Sequence, residues 1–257
     1  SQTDYVHNTC YYPFNNDSCT VVAENLLHDY FPNDIDYNYV LDLLTLCLEG
    51  TNRFQQFTIC YGFSASNGKS FLMDPLFSIL GDYSNTFPVN MLTNKMREAG
   101  NANVDLIHFK NKRFMYCSEP EANSKFNTNL LKQMTGDTMT ARKNHSNDIE
   151  KIKPTYNLFI CCNRLPELDT YDEGIARRIN IIEFKNKFVD NPQKKNRYEK
   201  QRKIYSESEI TNIENSLMHL LIKNYQSLKD RNFAITVPSY IQVLKKSYEE
   251  SNNNIKD

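Results

Sequence analysis

The stretch Phe57-Thr58-Ile59-Cys60-Tyr61, followed by Gly62-Phe63-Ser64-Ala65-Ser66-Asn67-Gly68-Lys69-Ser70, decides how this chain folds. The first five residues are apolar and β-prone, which predicts a strand buried in a sheet. After Lys69, apolar residues from Phe71 to Leu80 recur at helical spacing, and Gly81 marks the end of that helix. A strand, a loop ending in Gly-Lys-Ser and a helix together form the context that a phosphate-binding loop requires.

The chemistry of such a loop assigns a role to each part of it. Backbone N–H groups and the helix N-terminus attract phosphate, Lys69 neutralises the β- and γ-phosphates of a nucleotide, and the Ser70 hydroxyl can ligate Mg²⁺. The predicted nucleotide contacts are Ser64, Ala65, Ser66, Asn67, Gly68, Lys69, Ser70 and Phe71. The strict pattern has glycine where Phe63 stands, and Gly62 comes one residue earlier. Either the loop is one residue longer or its first turn tolerates a side chain, and a chance turn is the alternative.

Three more apolar runs outward from this loop predict strands, at residues 113–118, 156–162 and 179–184. A helical pattern around Leu130–Met134 separates the first two. Buried strands alternating with helices predict an α/β domain with a mainly parallel sheet between about residues 52 and 185.

The flanks of this domain differ in composition. Residues 1–19 lack a clear period, residues 34–49 have helical spacing, and residues 185–203 form a basic stretch that predicts a solvated connector. Two amphipathic helices around Pro238 follow. The predicted organisation is an N-terminal helical segment (1–51), an α/β core (52–190), and a connector with a small C-terminal helical subdomain (191–257).

Composition narrows the class of protein. The chain has 257 residues, of which 40% are hydrophobic and 24% are charged, and these values are typical of a globular protein. Because its net charge is −1, any contact with nucleic acid must come from a local basic surface. Its apolar runs are too short for a transmembrane helix, and neither end has a secretory signal pattern. Seven cysteines without CxxC spacing, two of them in the apolar run at Cys161-Cys162, predict buried thiols, no zinc site, no disulfide framework and an intracellular, reducing compartment.

Polar residues at the predicted strand ends supply the other parts of a nucleotide site. Glu119 and Glu121 follow the strand at 113–118 and could hold Mg²⁺ and polarise water, with Glu119 the better candidate; two solvated carboxylates are the alternative. Asn163 follows the strand at 156–162 and could sense the γ-phosphate, although an isolated Asn there is usually a turn former. Arg177 or Arg178 could reach a nucleotide on a neighbouring subunit, the alternative being an exposed salt-bridged pair.

Taken together, these motifs resemble superfamily III helicases, specifically the helicase module of the primase-helicases of poxviruses, other large DNA viruses and some phages. The resemblance covers most of the chain. It is carried by Ser66–Ser70, Ser118–Glu121, Leu131–Asp137 with Ala141-Arg142, the strand that ends at Asn163, and Arg177-Arg178 leading into a strand closed by Phe184.

The resemblance implies an AAA+-type P-loop NTPase that uses ATP and Mg²⁺ and assembles as a homo-hexamer around single-stranded DNA at a replication fork. It implies catalytic roles for Lys69, Glu119, Glu121, Asn163 and Arg177 or Arg178, and metal ligation by Ser70 and Glu119. It makes residues 142–148 a DNA-gripping hairpin, with Arg142, Lys143 and His145 as candidate contacts. A primase portion is expected on the same full-length chain, in the host cytoplasm or nucleus, and no membrane partner is expected.

Three functions remain open at this stage. The first is an ATP-dependent helicase motor, the second a P-loop kinase that acts on a small molecule, and the third a nucleotide-gated assembly module with weak hydrolysis. The kinase would share Lys69 and Ser70 but would not need an arginine from another subunit. Neither alternative accounts for the Thr135-Gly136-Asp137 segment or for the order of all the elements.

Overall fold

A computed structural model of the chain describes residues 8–10, 19–63, 66–93, 104–118, 125–136, 138–142, 149–193 and 195–253. The α-helices are α1 (Val21–Tyr30), α2 (Asp34–Thr45), α3 (Lys69–Leu80), α4 (Thr128–Gly136), α5 (Glu173–Ala176), α6 (Glu207–Asp230) and α7 (Ser239–Asn253). Short 3₁₀ helices lie at Leu46–Leu48, Gly81–Tyr83, Val89–Leu92 and Val104–Phe109. In the described part of the chain, no helix combines the length and the apolarity needed to cross a bilayer.

Strands of a central sheet and of three small two-stranded sheets complete the fold. They are β1 (Phe57–Tyr61), β2 (Ser84–Thr86), β3 (Phe114–Ser118), β4 (Lys125–Phe126), β5 (Met139–Arg142), β6 (Ile149–Ile152), β7 (Asn157–Cys162), β8 (Glu167–Leu168), β9 (Ile179–Glu183), β10 (Lys187–Val189) and β11 (Glu199–Gln201). The central sheet has the order β2-β3-β7-β1-β9, and all its neighbouring strands are parallel. This confirms the predicted α/β fold with a mainly parallel sheet.

Both faces of the central sheet are buried, which explains why its strands are continuous apolar runs. Side chains alternate between the faces along a strand. In β7, Phe159 and Cys161 pack with the helices α1, α2, α3 and α6, whereas Leu158 and Ile160 pack with α4, α5 and α7 on the other side. A parallel sheet covered in this way is stable only when every strand position is apolar or hydrogen-bonded.

Two parts of the predicted organisation need correction or comment. The stretch 185–203, predicted as a solvated connector, contains β10 and β11, which pair in parallel with Phe188 opposite Lys200. Its apolar side chains are too few to show a period, so the sequence pattern gave no sign of these strands. The boundaries at 51 and 190 stay predictions, although α6 shares one apolar cluster with α1, α2 and α3.

An ion pair with a buried carboxylate joins α2 to the residue that follows α6. Asp42, whose side chain is 3% exposed, accepts from Arg231 Nη1 at 3.1 Å and from Arg231 Nη2 at 2.9 Å. Asn224 Nδ2 also donates to Asp42 Oδ1, at 3.0 Å. The carboxylate is therefore satisfied from two positions on and just after α6.

We expect Asp42→Ala to lower the free energy of unfolding by about 2–3 kcal/mol, because it removes the buried carboxylate that both Arg231 and Asn224 bind. The partial exposure of Arg231 keeps the loss below that of a fully buried pair. Urea denaturation measures it. The control is Lys223→Ala on α6. Lys223 Nζ lies 3.7 Å from Glu24 Oε1, but the lysine side chain is 70% exposed, so its free energy of unfolding should fall by no more than about 0.5 kcal/mol. Equal losses in the two variants would contradict this assignment.

Candidate functional site

The loop between β1 and α3 ends at the start of a helix. Ser66 and Gly68 have φ angles of 62° and 79°, and α3 begins directly afterwards at Lys69. Gly68 occupies the N-cap position and has no side chain with which to cap the helix. The first-turn N–H groups of a twelve-residue helix therefore face the loop, an arrangement that favours a bound anion.

The ammonium of Lys69 lies between two side-chain amides. Its Nζ donates to Asn67 Oδ1 at 2.8 Å and to Asn163 Oδ1 at 2.9 Å. Lys69 is only 8% exposed, whereas Asn163 stands at the solvent-exposed end of β7. The structure thus brings together three of the residues singled out in the sequence, from two neighbouring strands.

Gly62 is needed because of Asn67. Asn67 is 3% exposed, and a Cβ on Gly62 would overlap its side-chain amide. Phe63, in contrast, is 81% exposed. Counted from Gly62, the loop is one residue longer than the strict pattern, and its first turn also accommodates the Phe63 side chain by directing it to solvent.

Two elements outside the predicted site support the loop. Gly68 packs against Tyr30 of α1, and a Cβ at Gly68 would overlap the tyrosine ring. Burial raises the pKa of Tyr30, so its hydroxyl stays protonated. From β10, Phe188 N donates to Ser66 O at 2.8 Å. Neither Tyr30 nor Phe188 could be identified as part of the site from the sequence, because neither contact follows from a local pattern.

The acidic motif lies outside the described residues. Glu119 and Glu121 belong to the undescribed residues 119–124 that follow β3, and Ser64 and Ala65 of the loop are also undescribed. An acidic motif on the strand directly beside β1 would be the simplest arrangement for a nucleotide site, but β7 lies between β3 and β1. Among the described residues no cluster of three or more metal-ligating side chains occurs. Ser70 lies exposed in the first turn of α3, and its role as a metal ligand stays a prediction.

The two arginines lie at the opposite edge of the sheet from Lys69. Phe57 N, at the start of β1, donates to Arg178 O at 2.8 Å, whereas Lys69 follows the carboxyl end of the same strand. Arg178 is 7% exposed, and its Nη1 donates to Gly174 O at 2.6 Å. Arg177 is exposed and donates to Gln55 Oε1 at 3.3 Å. The alternative of an exposed salt-bridged pair therefore does not hold for Arg178, which is buried. Of the two arginines, Arg177 is the one that is exposed to solvent.

A β-hairpin precedes the strand that ends at Asn163. β5 and β6 are antiparallel, with Arg142 opposite Ile149. Lys143 and His145 belong to the connection 143–148, which lies outside the described residues, and Arg142 is described only as backbone. Their contact with DNA stays a prediction.

The strand cysteines are buried, as the sequence indicated. Cys161 and Cys162 are 2% and 1% exposed, and Cys60 and Cys117 pack nearby in the same sheet. Burial raises the pKa of Cys162 to about 12, so this group is a neutral thiol at physiological pH. These residues act as small apolar side chains behind the loop.

The chain is similar in sequence to proteins of large DNA viruses. The profile of a family of unknown function (DUF5906) matches residues 60–178. A protein named as a helicase in Acanthamoeba polyphaga mimivirus is 36% identical over 164 residues, 63% of this chain and 17% of that protein. One named as a primase in African swine fever virus is 28% identical over 260 residues, 95% of this chain and 26% of that protein. A fowlpox virus primase is 29% identical over 59% of this chain and 19% of its own length.

The chain is related to proteins named helicase or primase in large DNA viruses. This confirms the resemblance seen in the sequence motifs. The chain spans between 17% and 26% of the length of these curated relatives. Among solved structures, the apo C-terminal region of NrS-1 is similar with a TM-score of 0.62 at 15% identity, over 93% of this chain and 54% of that one, a likeness of fold alone.

The contact between Gly62 and Asn67 predicts a specific pattern of stability. We expect Gly62→Ala to lower the free energy of unfolding by about 1–3 kcal/mol, because the added methyl overlaps a buried amide. In the double variant Gly62→Ala/Asn67→Ala the overlap is gone, so its loss should be smaller than the sum of the single losses by about 1 kcal/mol or more.

Gly50→Ala provides the control, because a Cβ at Gly50 meets no atom within 4 Å. Its free energy of unfolding should change by less than about 0.5 kcal/mol. Thermal and urea unfolding of the parent protein and of the four variants (Gly62→Ala, Asn67→Ala, the double variant and Gly50→Ala) measure these differences. Strictly additive losses would argue against a direct contact between residues 62 and 67.

Proposed function

We propose that this chain is the ATP-driven motor of a viral-type replication helicase, an AAA+ P-loop ATPase of superfamily III. The observation that carries the proposal is the position of the Lys69 ammonium. It sits at the start of α3 and joins the loop after β1 to Asn163 at the end of β7. In this arrangement the cation and the helix N-terminus face the same space, where a polyphosphate would be bound.

The order of the strands supports hydrolysis as the reaction. β7, with Asn163, lies between the strand that carries the phosphate loop and the strand that leads into Glu119 and Glu121. An amide between a phosphate site and an acidic motif can orient a water for attack on the γ-phosphorus. Mg²⁺ held by Ser70 and Glu119 would neutralise charge on the phosphates when bound. The residues available therefore suit ATP and Mg²⁺.

The arginines support catalysis shared between subunits. Arg177 is exposed at the edge of the sheet opposite Lys69, so it can meet a phosphate only on another copy of the chain. We therefore propose a ring, a homo-hexamer in the full-length protein, with ATP at each interface. Arg178, which is buried and bound to Gly174 O, would orient the turn that precedes β9.

The β5–β6 hairpin supports single-stranded DNA as the track. Arg142 ends β5, and Lys143 and His145 follow it in the sequence between the two strands. Basic side chains on a hairpin projecting into a ring could hold successive phosphates of one strand. The relatives named as primases support a replication role, with a primase portion on the full-length chain in a reducing compartment of the host cell, cytoplasm or nucleus.

ATP hydrolysis tests the motor directly. We expect a turnover per subunit that rises with protein concentration and with single-stranded DNA. Lys69→Ala should lower kcat about 10²–10³-fold, and Asn163→Ala about 10–10²-fold, because each removes a group that acts on the transition state. Lys223→Ala, an exposed lysine on α6, should leave kcat unchanged. Hydrolysis indifferent to DNA and to concentration would point instead to a monomeric phosphotransferase.

A mixing experiment tests whether the arginine acts on a second subunit. Arg177→Ala and Lys69→Ala should each be inactive alone. A 1:1 mixture should regain activity, because about a quarter of the interfaces would combine an intact Lys69 with an intact Arg177. The controls are samples of each variant alone at the total protein concentration of the mixture. If the 1:1 mixture stays as inactive as its components, Arg177 is not a shared catalytic group.

A further inference from the structure

A cavity of about 320 Å³ opens beside the loop, on the side of α1. Its walls come from α1, from the loop and the first turn of α3, and from the end of the stretch that the sequence predicted as a connector. The residues used below are Asp29, Tyr30, Phe71, Phe188, Lys203 and Tyr205, all of which line it. A cavity of this size is within the range of sites that hold small organic molecules.

The cavity is built largely from aromatic rings. Phe71 and Tyr205 stack with their centroids 4.9 Å apart and an interplanar angle of 22°. Tyr30 and Phe188 lie 5.0 Å apart on another wall. Rings held by packing offer flat apolar faces, and a planar heteroaromatic ligand gains from stacking on such faces.

The cavity shares its backbone with the phosphate loop. Ser66 and Gly68 line it, while the side chain of the next residue, Lys69, extends toward Asn163, which directly follows β7. One ligand can therefore place a ring in the cavity and anionic groups on the loop, without any change of fold. Among common metabolites, a nucleotide has this combination of a planar ring and a phosphate chain.

An ion pair ties the outer wall of the cavity to α1. Lys203 Nζ lies 3.1 Å from Asp29 Oδ2, and the carboxylate raises the pKa of Lys203. From the same stretch, Asn186 Nδ2 donates to Asp29 O at 2.8 Å and to Tyr30 O at 3.2 Å. The basic stretch is thus joined to α1 at two points, one of them in the wall of the cavity, and it has a defined place in the fold.

We infer that this cavity holds the nucleobase of the nucleotide whose phosphates bind at residues 66–70, and that residues 199–205 form its outer wall. The inference rests on the proposed function, since it assumes that the loop binds a nucleoside triphosphate. It makes Tyr205 a determinant of affinity for the base. It also assigns a role in ligand binding to a stretch whose composition predicts only a solvated connector.

The experiment separates the base from the phosphates by comparing two ligands. Isothermal titration with Mg²⁺ present gives the Kd of ATP and the Kd of inorganic tripolyphosphate for each protein. The ratio of the tripolyphosphate Kd to the ATP Kd reports what the nucleoside part contributes. We expect this ratio to exceed one in the parent protein and to fall about tenfold in Tyr205→Ala, through weaker ATP binding alone.

Two variants make the result specific. Tyr205→Phe keeps the ring that stacks on Phe71, so its ratio should match that of the parent. Lys69→Ala should weaken both ligands alike and leave the ratio unchanged. Photolabelling of the parent protein with 8-azido-ATP, which depends on no substitution, should modify the peptide containing residues 199–205.

Different failures have different meanings. An unchanged ratio in Tyr205→Ala, together with labelling elsewhere, would overturn the base site and leave the phosphate site intact. If tripolyphosphate binding were indifferent to Lys69→Ala while the ratio still fell in Tyr205→Ala, the phosphate site would be wrong and the base site would stand. Equal affinity for ATP and tripolyphosphate in the parent protein would contradict the cavity assignment.

Discussion

The position of one ammonium group constrains most of this structure. A lysine that is 8% exposed loses much of its hydration, which is costly unless polar partners replace the water. Asn67 and Asn163 supply two such partners, and each imposes a requirement of its own. Asn67 occupies the space beside Gly62, which excludes a side chain there. Asn163 reaches Lys69 only because β7 is the strand next to β1.

The sequence predicted the elements whose signals are local. The strand predicted at 57–61 agrees with the structure at both ends, and the helix predicted after Lys69 ends at Leu80, directly before Gly81. A buried parallel strand and a helix after a Gly-Lys-Ser loop have strong patterns of their own. Asn163 could be singled out because it directly follows an apolar run. Strand order could not be predicted, since it depends on which helix covers which face, and so the position of β7 between β1 and β3 came only from the structure.

The sequence did not predict the contacts between segments that are far apart in the chain. Tyr30 supports Gly68 across about forty residues of sequence, and Phe188 holds Ser66 across more than a hundred. Between residues 185 and 205 the few aromatic side chains stand among charges, which is also the composition of a solvated linker. The difference lies in tertiary partners: Phe188 meets Tyr30, and Tyr205 meets Phe71. A pattern based on periodicity cannot detect single aromatic anchors of this kind.

Parallel strands also decide which residues can meet within one chain. Every strand of the central sheet runs in the same direction, so residues that precede strands and residues that follow them lie at opposite edges. β1 has five residues, which corresponds to about 15 Å between the edges. Arg177 precedes β9 and Lys69 follows β1, and this separation exceeds the length of an arginine side chain. A catalytic role for Arg177 at the phosphates held by Lys69 therefore requires a second copy of the chain, whose own sheet edge faces this loop.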